Sequence, residues 1–207
     1  MRPTSFVPMV GAISPEGAGE VPGLEAAVSY WTGRTHSAEE WFRELDAFWG
    51  TAGFVVRRGV EVQGFVFYGP PERLARAARY PVGPLDEEGV LLAYVGGDAR
   101  TCRRLLVRML RDLRGRGVGR VEAISSDRGA PHHVSTPFLL ESGWRPVRRA
   151  FYGSGYYTLA RIDLKSAVEV GGLARALVGR VKLPSLKTRV PMPGVLARAA
   201  ADEQGDQ

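Results

Sequence analysis

The chain has 207 residues, 44% of them hydrophobic, including four Trp, eight Phe and seven Tyr. That is enough for one medium domain with a packed core plus a tail, or for two small domains. A net charge of +6 and a pI near 9.8 favour an anionic partner, such as a nucleotide, nucleic acid or an anionic surface, or describe a basic surface as such. The single cysteine, Cys102, excludes an internal disulfide framework and a CxxC metal site. No apolar run approaches the ~20 residues that cross a bilayer, and the N-terminus lacks a secretion signal's apolar core, so a cytoplasmic protein without membrane attachment is expected.

Ser5 to Ile13 reads as a first strand, Ser14 to Gly23 as a loop and Leu24 to Trp31 as a helix. Ser37 followed by Glu40 is a capping box; Trp41, Phe42, Leu45, Phe48 and Trp49 then give an amphipathic helix ending at Gly50. Gly53 to Arg57 and Val60 to Tyr68 form a hairpin about Arg58-Gly59, closed by Gly69-Pro70-Pro71. Glu72 to Tyr80 reads as a short helix and Pro81 to Glu88 as a loop.

Val90 to Val95 is a short apolar run ending at Gly96-Gly97, the pattern of a strand buried on both faces. Beyond it Cys102, Leu105, Leu106, Met109, Leu110 and Leu113 recur at helical spacing. Gly115 and Gly117 stop that helix, and Val118 to Ile124 is extended again. Such a strand-turn-helix-strand unit presents unpaired N–H groups at the helix N-terminus, where a phosphate can sit. After a polar loop at Ser126 to Pro131, Thr136 caps a short helix with Pro137 at its first position, ended by Gly143. Trp144 to Phe151 and Tyr156 to Leu164 are strands around Gly153-Ser154-Gly155. The sheet pattern stops at Lys165, so a domain over 1–164 is followed by an extension over 165–207: a weak helix near Ala167 to Val178, then the basic, Pro-containing segment Arg180 to Pro193. The expected fold is α/β, one mixed sheet with helices on both faces.

Four local strings stand out: Phe67-Tyr68-Gly69-Pro70-Pro71, Arg111-Asp112-Leu113 with Gly117-Val118, Val121-Glu122-Ala123, and Pro137-Phe138-Leu139-Leu140-Glu141-Ser142-Gly143-Trp144. Together with the strand order they resemble the GNAT superfamily of N-acetyltransferases, and within it a group of actinobacterial members. The resemblance spans Phe6 to Leu164, with Leu173 to Pro193 similar to that group's C-terminal extension. It implies a GNAT-like fold whose middle strands splay apart, and acetyl-CoA or another acyl-CoA as cofactor without a metal. Pantetheine would bond the strand at Ala93, Tyr94 and Val95, and the diphosphate would sit over Gly96, Gly97, Arg100, Thr101, Arg103 and Arg104. The family's loop glycines fall here on Arg100 and Cys102, so the arginines would have to pair with phosphate directly. Arg114-Gly115-Arg116-Gly117-Val118-Gly119 matches the loop pattern letter for letter, but a strand follows it, so it reads as a helix-to-strand turn.

Acetyl transfer to an amine needs a base, a polarised thioester carbonyl and an acid for the leaving thiolate. The family's tyrosine acid aligns near Leu139, which has no proton to give. Glu122, mid-strand beside the splay, is the expected base, with His132 and His133 as alternatives. Tyr30, Trp31 and Tyr68 are expected to line the acceptor site, or to be core. The resulting expectation is direct acetyl transfer to a primary amine of a small molecule or a protein. A GNAT-fold binding or regulatory protein without turnover is the alternative, with nucleic-acid binding through the basic helix and tail ranked last. A homodimer is compatible with the sequence.

Overall fold

Alternation along the hairpin strands dictates the layering. Phe54, Val56, Val66 and Tyr68 face one side of the sheet, and Val55, Phe65 and Phe67 the other, so apolar helices must cover both faces. The computed structural model describes residues 7–33 and 37–165. In chain order these form β1 (Met9–Ala12), α1 (Pro15–Ala18), α2 (Leu24–Thr32), α3 (Ala38–Phe48), β2 (Gly53–Arg58) and β3 (Glu61–Gly69). Then follow β4 (Val90–Gly97), α4 (Ala99–Gly115), β5 (Arg120–Ser126), β6 (Val134–Ser135), α5 (Thr136–Glu141), β7 (Arg145–Tyr152) and β8 (Gly155–Asp163).

The strands make one mixed sheet in the order β1-β2-β3-β4-β5-β8-β7, with β6 pairing β5 off that path. Neighbours are antiparallel except β4 with β5 and β5 with β6. Leu24, Val28 and Trp31 of α2, with Trp41, Phe42 and Leu45 of α3, pack on one face. Leu105, Leu106, Met109, Leu110 and Leu113 of α4 pack with Leu139 of α5 on the other. The capping box forms as expected: the Glu40 amide donates to Ser37 Oγ at 3.1 Å and the Ser37 amide to Glu40 Oε2 at 3.3 Å.

Several boundaries differ from the sequence reading. Pro15–Ala18 is a helical turn rather than loop, because Ser14 Oγ accepts from the Gly17 amide at 3.2 Å. The expected helix from Glu72 to Tyr80 is two 3₁₀ turns, Pro71–Arg73 and Ala75–Arg79, since Leu74 between them is non-helical at φ −118°, ψ 62°. Thr136 is inside α5 rather than its cap; its hydroxyl donates to Ser125 Oγ at 2.9 Å instead. The expected helix near Ala167 to Val178 and the basic segment to Pro193 lie outside the described residues.

Candidate functional site

The central strands separate soon after they meet. β4 and β5 pair only at Val90 with Val121 and Leu91 with Glu122. Beyond that point Val134 and Ser135 of β6 take the β5 edge opposite Ser125 and Ser126. On its other side β4 carries a bulge: Phe67 pairs with Tyr94 and Tyr68 with Leu92, leaving Ala93 unmatched. A bulge bends its strand and sharpens the local twist, which turns β4 away from β5. It also places Ala93 and Tyr94 together on the α2 face, while Leu92 and Val95 stay on the α4 face. Past the Leu91–Glu122 pair no bridge joins β4 to β5 or β6, so one edge of that stretch has no strand partner.

Gly96 and Gly97 do not form a loop. They are the last two residues of β4, paired with Phe65 and Gly64 of β3. A Cβ on Gly96 would lie 2.7 Å from the Tyr94 ring, and one on Gly97, at φ +129°, 2.8 Å from the Gln63 carbonyl. Close packing of the sheet therefore requires these glycines, which corrects their expected place in a phosphate loop. A single residue, Asp98, joins β4 to α4 and caps the helix, accepting from the Thr101 amide at 2.7 Å. Hydrogen bonds from the Thr101 amide and hydroxyl, then the Arg100 amide, hold the Asp98 carboxyl below the usual carboxylate range. The Thr101 amide expected for a diphosphate is thus already engaged. Arg100 and Arg104 are exposed, and Arg103 reaches to 3.9 Å from Glu141.

Glu122 sits at the closed end of the divergence, opposite Leu91, and is 1% exposed. Its Oε1 accepts from Arg161 Nε at 2.9 Å and Nη2 at 2.7 Å, and its Oε2 from the Asp86 amide at 2.8 Å. Asp86 also pairs with Arg120, which bonds Asp163 at 3.1 Å. Both Glu122 oxygens are committed to this network, a geometry that ties a loop to β5 and β8 and does not suit the base expected from sequence.

On the α2 face, at the diverging end, aromatic rings gather around His133. Tyr30, Trp31, Tyr80 and Tyr157 lie with ring centroids 4.9 to 5.5 Å from its own. The neighbouring backbone at His132 is left-handed, φ 60°, an uncommon state for a residue with a side chain. It is held there by Trp31 Nε1 donating to the His132 carbonyl at 2.9 Å and by stacking of the His132 ring on Tyr30. The Tyr30 and Tyr80 hydroxyls share a 2.5 Å hydrogen bond, and burial first, then that bond, raises the Tyr80 pKa. His133 Nδ1 lies 2.8 Å from the Pro131 carbonyl, which can only accept, so Nδ1 carries the proton and Nε2 the lone pair. Nε2 is buried with no partner. Burial pushes the His133 pKa down to about 4, so the ring is neutral near pH 7. Among the described residues no three His, Cys, Asp or Glu groups converge on a metal position, and no helix is long and apolar enough to cross a membrane.

Solved structures share this architecture. An N-acetyltransferase from Staphylococcus aureus Mu50 superposes with a TM-score of 0.54 at 15% identity, over 76% of this chain and 99% of that one. An acetyltransferase from Salmonella typhimurium with its cofactor acetyl-CoA gives 0.55 at 16% identity, over 77% and 96%. The acetyltransferase of GNAT family from Streptococcus pneumoniae gives 0.53 at 11%, over 76% and 99%. The chain has the GNAT fold. No protein-family model and no curated protein matches its sequence.

Within this GNAT fold, the residues expected from sequence divide between the two faces. Tyr30, Trp31, His132 and His133 come together, and Tyr94 packs against the same core. Tyr68 does not join them. It is fully buried on the α4 face with its hydroxyl 3.4 Å from Asp112 Oδ2, so its expected place at an acceptor site is corrected to a core position. Leu139, aligned with the acid, is also core. Sequence reasoning missed Tyr80 and Tyr157, which the GNAT fold brings to His133 from distant segments. Asp98 was legible as a helix cap three residues before Thr101.

Proposed function

We propose that the protein is a GNAT-type N-acyltransferase that lays an acyl thioester along the unpaired edge of β4 and passes the acyl group to an amine presented from the aromatic face. One observation carries this reading: the bulge at Ala93 and the two-residue pairing of β4 with β5 leave the edge of β4 that faces away from β3 without a strand partner from Leu92 to Val95. An extended amide-bearing chain such as pantetheine can add to that edge as a further strand would. The solved Salmonella relative binds acetyl-CoA, which makes acetyl-CoA the first donor to test. When bound, acetyl-CoA supplies an activated thioester acyl group. A main-chain N–H on that edge, near Tyr94 or Val95, would polarise the thioester carbonyl. Tyr30, Tyr157 and His132 surround the approach on the other face, and behind them the buried His133 Nε2 holds a neutral lone pair that an amine entering the ring cluster would meet.

Glu122 belongs to the scaffold in this reading, and the leaving thiolate takes its proton from solvent, since Leu139 has none to give. The committed state of Glu122 also favours a second reading, a binding protein without turnover that keeps the fold. Thermal denaturation with acetyl-CoA tests the donor site. A ligand at 100 times its Kd stabilises by about 2.7 kcal/mol, or roughly 5–10 °C for a chain of this size. No shift with acetyl-CoA or S-acetylpantetheine would remove the first reading; binding without acyl release to any amine would leave the second.

A further inference from the structure

We propose that this protein recognises its acyl donor through the pantetheine arm alone, because Asp98 closes the N-terminus of α4 to the donor's diphosphate. The inference rests on the donor position proposed above and concerns the half of that ligand which the chain does not fit.

A diphosphate held by backbone needs free N–H groups, room for close approach and no competing anion. This helix start falls short on all three: its best-placed amide is taken, there is no loop, and an anion already caps it. The connection between Gly97 and Ala99 is Asp98 alone, so no loop exists to wrap an anion. Gly96 and Gly97 are paired to β3, and their missing side chains make room for Tyr94 and for the Gln63 carbonyl. The best-placed first-turn donor is engaged internally: the Thr101 amide bonds the Asp98 carboxylate at 2.7 Å. That carboxylate is ionised, so an incoming diphosphate would have to displace a group of its own sign. A negative cap also offsets the positive end of the helix dipole.

The arginines do not replace the cradle. Arg100 stands beside Asp98, Arg103 leans toward Glu141 at 3.9 Å, and Arg104 is exposed. Exposed guanidinium groups can pair with a phosphate, but water competes with that pairing and salt screens it.

Calorimetric titration of the full chain with acetyl-CoA, S-acetylpantetheine and ADP tests the inference. The wild type should bind acetyl-CoA and S-acetylpantetheine with Kd values within about threefold of each other, a nearly negligible difference in free energy. ADP should give no binding. Asp98→Ser keeps a hydroxyl cap while removing the charge; it should tighten acetyl-CoA on the order of tenfold and leave S-acetylpantetheine unchanged. Asp98→Asn, which keeps the side-chain shape, should do the same. A wild-type preference for acetyl-CoA of tenfold or more, or Asp98 variants that treat both ligands alike, would overturn the inference while leaving the donor site intact. Failure of both thioesters to bind would overturn the donor reading itself, and this inference with it.

Discussion

A carboxylate offers about four acceptor positions, and Glu122 has three of them filled, two by one guanidinium. Glu122 binds Arg161 through one oxygen and the Asp86 amide through the other, and the Arg161 side chain is 30% exposed against 2% for Glu122. Glu122→Gln keeps the shape and loses the charge, so its effect should be on stability: about 2 kcal/mol, discounted for the partial hydration of Arg161. Urea denaturation measures this, and the folded fraction should keep its acyl transfer. A variant of wild-type stability that has lost transfer would instead make Glu122 the base.

His133 is the opposite case, a buried group with an unused lone pair. Its pKa is lowered from 6.5 to about 4 on folding, mainly by burial. The unfolded chain therefore holds the proton across that window. Stability is complete above about pH 6.5 and is lost as pH falls toward 4, by about 3 kcal/mol at most for this group. His133→Phe should flatten that part of the pH–stability curve, preserve the ring packing, and lower acyl transfer on the order of 100-fold if Nε2 receives the amine proton.

At the scale of elements, β3 and β4 approach more closely than side chains permit. A Cβ on Gly64 would lie 2.2 Å from the Gly96 carbonyl oxygen and 2.9 Å from the Thr101 methyl. Backbone cannot yield as a flexible side chain would. Gly64→Ala should cost about 3 kcal/mol, seen as a fall in Tm of roughly 10 °C, with loss of the bulge geometry that opens β4. The helix α4 and its exit turn were readable in advance. Six apolar residues at helical spacing became its buried stripe, and Gly117, at φ 79°, turns the chain into β5. The Gly-rich string there is a turn because a strand, not a helix, follows it. The aromatic cluster was only half readable. Tyr30 and Trp31 adjoin in sequence, but Tyr80 and Tyr157 reach His133 from segments with no local signal linking them.

At the scale of the molecule, the amphipathic helices and alternating strands impose a two-faced sheet, because apolar periodicity fixes which side of each element must be covered. The hairpin, the capping box, the central strand and the helix behind it all followed from local patterns. Apolar alternation says nothing about which backbone edges remain unpaired, however. That depended on the bulge at Ala93, on β6 entering beside β5 and on the Leu91–Glu122 pairing where the strands part. Charge followed the same division. The sequence determined that a carboxylate, two histidines and several arginines flank the middle strands. Tertiary structure alone decided that Glu122 is locked by Arg161, that His133 is left neutral with a free nitrogen, and that Asp98 covers the α4 amides. A side chain's chemistry is carried by the sequence, but its protonation and its spare hydrogen-bonding capacity depend on burial and on partners brought from elsewhere in the chain.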